Sequence, residues 1–542
     1  MSASASKGAG SPGGGSVGVA APGVFARKSS GLVRTISTFD TFFYCLVQLA
    51  IPFVIFNIAV WAFYPGANME IASLIALAAA VLEGITYGLF ISVYPRSGGE
   101  YVPLSRATRP LIGFIASFSQ TWWQTYVTGT IVAFACSLGW APLLTMIGLQ
   151  TGNQGLIDLG LWFDSSWGWF LFGSIAIGLF CYQLYRGMRT YFRVQRWLFA
   201  LALAGWVILI IVMLLGYVGV FDFQANLDKY AGAGATAGLL EAARAADVDL
   251  EPAFSWPATL EFTIWPAYLF LFAVLSTAFS GEVKNVSRGQ LIAIPTAQLV
   301  GGALVILASL TARLGIGNQI LLAASGVPPE QSPLAYNWLT MLASVLADNI
   351  LLTIIISLSA LILTTYVAAS TAIYATRGLL AWGIDGMAPS KLADVSEKHH
   401  SPTYAILVVA VLAIGVLAIY SFTDLFRWLA ALAPMSIVFL LTTVVGALFP
   451  FIRRKDYENS PAKVEIAGIP LMTITGVLGG IIMAYMVYRA LVDSTFGSAD
   501  PRQLAIMIGV FVLGGVWYFV ARAVRARQGV NMRARFEEIP IE

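Results

Sequence analysis

Glu83 stands near the middle of an apolar run from 71 to 93. An ionised carboxylate at that depth in hydrocarbon costs at least ~2.5 kcal/mol, so it must be paired, protonated or turned towards water. One reading makes Glu83 a proton-coupling carboxylate. The other makes it a structural glutamate hydrogen-bonded to neighbouring helices. Gln120, Trp122, Trp123, Gln124 and Tyr126 crowd the middle of a later run, deeper than the interface where Trp usually anchors a helix. They can form an amphipathic wall to a cavity, faced by Tyr44 and Gln48, which lie one helical turn apart. Asp40, at the start of the first run, reads as a helix N-terminal cap rather than a gate.

Other chemistry is excluded. Cys45, Cys136 and Cys181 each fall inside an apolar run and read as small packing residues, with no disulfide framework and no metal spacing. The two histidines, His399 and His400, are adjacent and lie between runs, so paired intramembrane haem ligands are absent. The glycine-rich leader lacks the Gly-Lys-Ser/Thr ending of a phosphate loop, and ATP-driven transport has no support. No catalytic constellation is visible, so an enzyme is not expected. No cofactor is expected either, beyond a coupling proton or sodium ion.

The elements that position these residues are membrane helices. Of 542 residues, 58% are hydrophobic and only 11% are charged, against about 25% in soluble domains. Spans long enough to cross a bilayer are expected near 39–62, 71–93, 110–138, 167–185, 197–220, 260–281, 291–314, 347–375, 403–420, 425–451, 469–491 and 503–521. Residues 1–26 form a Gly/Ser/Ala-rich tail that cannot bury enough apolar surface to fold alone, and 27–38 is a basic, amphipathic approach to the membrane. The loop 221–257 has room for a short helix, and 333–346 for another on the membrane surface. With the N-terminus in the cytoplasm, only Lys229, Arg244, Arg313, Arg427, Arg489 and Arg502 of the 31 basic residues fall on the far side. One wrong span would flip every later loop and destroy this bias. Twelve spans, both ends inside, is the expectation, in a cell (plasma) membrane. Small-molecule solute and lipid are the expected partners, and nucleic acid is not.

Three motifs carry a resemblance. Tyr94-Pro95-Arg96-Ser97-Gly98-Gly99-Glu100-Tyr101 follows the second span, Glu282-Val283-Lys284-Asn285-Val286-Ser287-Arg288 the sixth, and Arg377-Gly378-Leu379 to Asp385-Gly386-Met387-Ala388-Pro389 the eighth, with Ser401-Pro402 before the ninth. In this order and at these spans they resemble the amino acid–polyamine–organocation (APC) permeases. The resemblance implies a five-plus-five inverted repeat of the leucine-transporter type over 27–451, with spans one and six interrupted mid-membrane and solute bound between them. Residues 452–524 would add two spans and 525–542 a cytoplasmic tail.

By the same resemblance, solute would meet Tyr44, Gln48, Leu49, Ala50 and Ile51 on span one, Trp123 and Gln124 on span three, and Phe270, Phe272, Ala273 and Val274 on span six. In sodium-coupled relatives, hydroxyls of span eight complete a cation site. Thr364 and Thr365 are an adjacent pair there, and Ser357, Thr364 and Thr371 share a stripe, although such hydroxyls also bond back to their own helix. Two departures stand out. The stretch matching the family's span-one glycine signature, Val47-Gln48-Leu49-Ala50-Ile51-Pro52-Phe53, has no glycine, and Phe272-Ala273-Val274 stands where the family has Gly-Phe-Glu in span six. Both losses favour an apolar or weakly polar solute. The expected function is a secondary transporter of a small organic solute such as an amino acid or amine, working by alternating access. The alternative is a transport-inactive subunit of the same fold with a structural or sensing role.

Overall fold

The computed structural model describes residues 31–425, 431–496 and 500–537. Twelve helices among them are long and apolar enough to cross a membrane, and 80% of the structure is helical. The all-α polytopic expectation is met. Spans 1 to 12 are Thr38–Ala59, Met69–Val93, Pro110–Thr151, Ser166–Tyr185, Met188–Tyr217, Trp256–Glu282, Val286–Ile316, Ile350–Asp385, Thr403–Phe422, Leu432–Ile452, Leu471–Val492 and Pro501–Arg527. Among the described residues the strands are a two-residue pair, Glu465–Ile466 with Ile469–Pro470, closed by Ala467 and Gly468 at φ 51° and 76°, the backbone a tight hairpin requires. The tail at 1–26, Arg27 and Lys28 of the basic approach, Arg427 and the final residues 538–542 lie outside the described residues.

Local sequence explains where the spans start and stop. The N-cap is Ser37, and Asp40 is its N3 partner in a capping box: the Asp40 N–H donates to Ser37 Oγ and the Asp40 carboxylate accepts from the Ser37 N–H, both at 3.1 Å. Span 5 starts at Met188, so Arg193 and Arg196 lie in its first turns rather than ahead of it. Arg196 there reaches Asp40 at 3.5 Å. Span 8 continues through the whole of 377–385, because nothing breaks the helix until Gly386 closes it at φ 79°. Span 3 passes through a π turn at Cys136–Trp140 and continues to Thr151. The loop 221–257 holds two short helices, Phe223–Ala231 and Ala235–Ala245. The helix expected on the surface near 333–346 is Leu339–Ala347, and every residue of it is buried. Its only polar side chains, Thr340 and Ser344, are satisfied within the bundle, by the Leu138 carbonyl at 3.2 Å and the Thr340 carbonyl at 2.8 Å, so no face of it needs water.

Span 1 is interrupted. Ala50 takes a left-handed backbone at φ 46° between Thr38–Gln48 and the short 3-10 turn Ile51–Phe53. Pro52 lacks the N–H that would reach the Gln48 carbonyl. Span 6 changes character instead of unwinding: Trp256–Phe262 and Ile264–Phe270 are α-helical, and Leu271–Glu282 is 3-10 with Phe279 off helical geometry.

Spans 2 and 7 pack on each other, as do 3 and 8, and 10 and 11. At Gly84 and Gly88 a side chain would collide with Gln298, Ile294 and the Leu291 backbone of span 7. This small-xxx-small spacing lets two membrane helices approach closely. Three basic residues at the end away from the main basic clusters are ion-paired: Lys229 to Asp348 at 2.7 Å, Arg313 to Glu70 at 3.2 Å and Arg489 to Glu261 at 3.1 Å.

Candidate functional site

The break in span 1 opens onto a cavity of about 60 Å³. Span 1 supplies Gln48, Ala50, Phe53, Phe56 and Asn57. Span 3 supplies Val127, Thr130 and Ile131, and span 6 supplies Trp265, Tyr268, Leu269 and Phe272. Val367 and Thr371 of span 8, with Leu432 and Met435 of span 10, close it. No lining residue is ionisable at neutral pH. The chamber is a small apolar space with a few polar groups, the usual composition of a small-molecule site.

Those polar groups differ in what remains free. Gln48 Nε2 donates to the Tyr44 hydroxyl at 3.0 Å, and Tyr44 donates on to the Ser370 carbonyl at 2.8 Å. Thr130 bonds back to Tyr126 at 3.2 Å and Thr371 to Ala368 at 2.8 Å. Trp265 Nε1 donates to the Tyr64 hydroxyl at 3.0 Å. Asn57 is 1% exposed, and neither its Nδ2 nor its Oδ1 has a partner among the described residues. An unsatisfied buried polar group costs about 1–3 kcal/mol, so this amide faces the cavity with both a donor and an acceptor uncommitted.

Of the expected solute residues, the fold brings Gln48, Ala50 and Phe272 to the cavity. Tyr44 stands behind Gln48. Leu49 points to Gly301 of span 7, and Ile51 is buried outside the lining. Trp123 and Gln124 lie one turn before Val127. Gln124 Nε2 touches Met435 Sδ at 3.2 Å, beneath the chamber. Phe270, Ala273 and Val274 are buried on another face of span 6. Its cavity face is the stripe Trp265, Tyr268, Leu269 and Phe272, the i, i+3, i+4, i+7 spacing of one helix face, and Phe270, Ala273 and Val274 fall outside that stripe. Asn57 escaped the sequence reading although a signal existed: it is a lone amide in an apolar half-helix, in line with Ala50 and Phe53.

The candidate coupling residues separate. Glu83 is fully buried, and both its oxygens lack a hydrogen-bond partner among the described residues. Thr365 bonds back to the Leu361 carbonyl at 2.8 Å, whereas the hydroxyls of Thr364 and Ser357 are buried without partners among the described residues.

Glu100, in the loop after span 2, is a second buried carboxyl. It accepts from the Tyr374 hydroxyl, and Gln120 Nε2 lies at 3.5 Å. Burial pushes its carboxyl above the ordinary range, and the Tyr374 hydrogen bond offsets part of that shift. The loop is locked against spans 6 and 8. The Gly98 N–H donates to the Ala278 carbonyl at 2.8 Å, and any side chain at Gly99 would strike the Tyr374 ring. The motif's glycines thus serve close packing away from the cavity.

A comparison with curated proteins finds no match. A family model, amino acid permease, matches residues 36–514. That match runs from the first described turn of span 1 into span 12 and takes in both the broken helix and the buried loop. The chain belongs to the amino acid permease family, within the APC superfamily.

Proposed function

We propose that this permease is a secondary active transporter, a symporter or antiporter, that moves a small organic solute such as an amino acid or amine by alternating access. The observation that carries the reading is the uncommitted Asn57 amide in an apolar, uncharged cavity at the break of span 1. A solute there gains one or two hydrogen bonds from Asn57, while Phe53, Phe56, Trp265 and Phe272 exclude water. The chamber measures about 60 Å³, and alternating access would expose it to one side of the membrane at a time, as in a rocking five-plus-five repeat. The absence of a charged lining residue favours neutral or weakly polar groups at that point.

Coupling is assigned to Glu83, as the proton carrier, with Thr364 as the alternative sodium contact. A carboxyl buried without partners is cheap when protonated and costly when charged. The clustering of basic residues at the end that holds Pro95–Tyr101 supports a cytoplasmic position for that end and for both termini; the plasma membrane is the membrane we propose. Uptake into proteoliposomes, screened across amino acids, amines and other small solutes under pH and sodium gradients, tests the reading. At least one solute should accumulate and should also raise the melting temperature in detergent. No uptake and no stabilisation across the screen would return the chain to a transport-inactive role.

A further inference from the structure

A groove of about 840 Å³ opens on the outer face of the bundle, between span 12 and the segment after Gly386. Its wall is Leu513, Val516, Trp517, Val520 and Val524 of span 12, all roughly half-exposed. Leu513 to Val524 covers ~16 Å of helical rise, close to the ~15 Å that one leaflet contributes to the hydrocarbon core.

At the basic end this apolar wall stops at two cations. Arg525 is held in place by neutral groups: Nε donates to the Gly386 carbonyl at 2.8 Å, Nη2 to the Ala388 carbonyl at 3.1 Å and Nη1 to Gln528 Oε1 at 2.9 Å. Its orientation is fixed and its charge is not cancelled. Lys391 is exposed, with its ammonium 5.9 Å from the Tyr404 ring centre. Neither forms an ion pair among the described residues, and no acidic residue lines the groove. Trp517 Nε1 donates to the Met387 carbonyl at 2.8 Å, so the segment is tied to the helix and the groove keeps its shape without a lipid in it.

We propose that this groove is a binding site for one anionic phospholipid, with its phosphate against Lys391 and Arg525 and an acyl chain along 513–524. The proposal rests on the reading above that the basic end faces the cytoplasmic leaflet, where anionic lipids concentrate. Lipid that merely coats a helix needs no cation. Two uncompensated cations at the end of a leaflet-length apolar slot select for a negative headgroup. The groove lies away from the solute cavity, so an occupant braces span 12 against the segment after span 8 without competing with solute.

The test uses the full chain in detergent, stripped of lipid, with phosphatidylglycerol or phosphatidylcholine of identical chains added and retention read by native mass spectrometry. One phosphatidylglycerol per chain should be retained, at least five-fold above phosphatidylcholine. Lys391→Gln should reduce that preference. Val520→Trp, which fills the slot and leaves the charges in place, should reduce retention of phosphatidylglycerol. Thermal melts establish that both variants are folded. Equal retention of the two lipids, or unchanged phosphatidylglycerol retention in both folded variants, overturns the site. No solute is needed for this readout, so its failure and failure of the transport reading are distinguishable.

Discussion

Arg377 of span 8 grips Glu282 at the end of span 6 through two parallel contacts, Nε to Oε1 at 2.9 Å and Nη2 to Oε2 at 3.3 Å. The side chains are 1% and 2% exposed. The pair joins the two helices next to the loop that contains Glu100. Removing one partner leaves the other charge buried and uncompensated, at a cost of about 3–5 kcal/mol, whereas replacing both with apolar groups is often neutral. Arg377→Met and Glu282→Met alone should therefore lower the melting temperature sharply, and the double replacement should recover most of the loss. Single variants that melt like the parent would show that the pair is not holding spans 6 and 8 together.

Asn57 should behave in the opposite way in the absence of solute. Asn57→Leu removes an amide whose burial without partners costs about 1–3 kcal/mol, so the unliganded protein should melt at the same temperature or higher. For a solute found by the uptake screen, the same change should weaken binding roughly 5- to 150-fold, the equivalent of those energies. Loss of stability without loss of affinity would mean that Asn57 is bonded in the working protein and is not a solute contact.

Ala50 occupies a left-handed backbone, φ 46°, a conformation that suits glycine better than a residue with a Cβ. An L-residue pays about 1–2 kcal/mol for that conformation. Ala50→Gly should relieve it and raise the melting temperature, provided glycine's extra chain entropy does not consume the gain, and Ala50→Val should lower it. If Val is tolerated as well as Gly, the interruption of span 1 is not fixed at Ala50.

These residues show what was legible in the sequence. Membrane helices were readable because hydrocarbon forces long apolar runs and sidedness biases Lys and Arg, so twelve spans emerge and match the fold. The interruption at Ala50-Ile51-Pro52 was legible through Pro52. The change of span 6 to 3-10 geometry was not, because it reflects packing between helices and no single residue demands it. Of Phe270, Phe272, Ala273 and Val274, only Phe272 lines the cavity. Span 8 was read too short at Arg377 because a polar, basic residue looks like an exit from the membrane; here Glu282 neutralises it inside the bundle. Asn57 was overlooked because one amide scarcely alters the hydropathy of a span.

Glu83 gives a prediction for coupling. If it carries the driving proton, Glu83→Gln should abolish accumulation driven by a pH gradient and retain solute binding in detergent, since its buried carboxyl does not line the cavity. Gln imitates the protonated acid in shape and charge, so folding should be kept. Accumulation driven as well by the variant as by the parent would remove Glu83 from the mechanism.

Glu100 makes a separate prediction through the pH dependence of stability. Burial raises its folded-state pKa above the unfolded value of about 4.3, so the folded protein holds this proton more tightly than the unfolded chain. The resulting stabilisation is complete below the unfolded pKa and is lost as pH rises through the folded one. Glu100→Gln keeps a neutral side chain able to accept from Tyr374 at every pH. Its unfolding midpoint should match the parent's in acid and begin to exceed it as pH rises past the unfolded value, with the difference between the two curves growing up to the folded value and levelling off above it. Parallel curves at all pH values would mean that folding does not raise the pKa of Glu100.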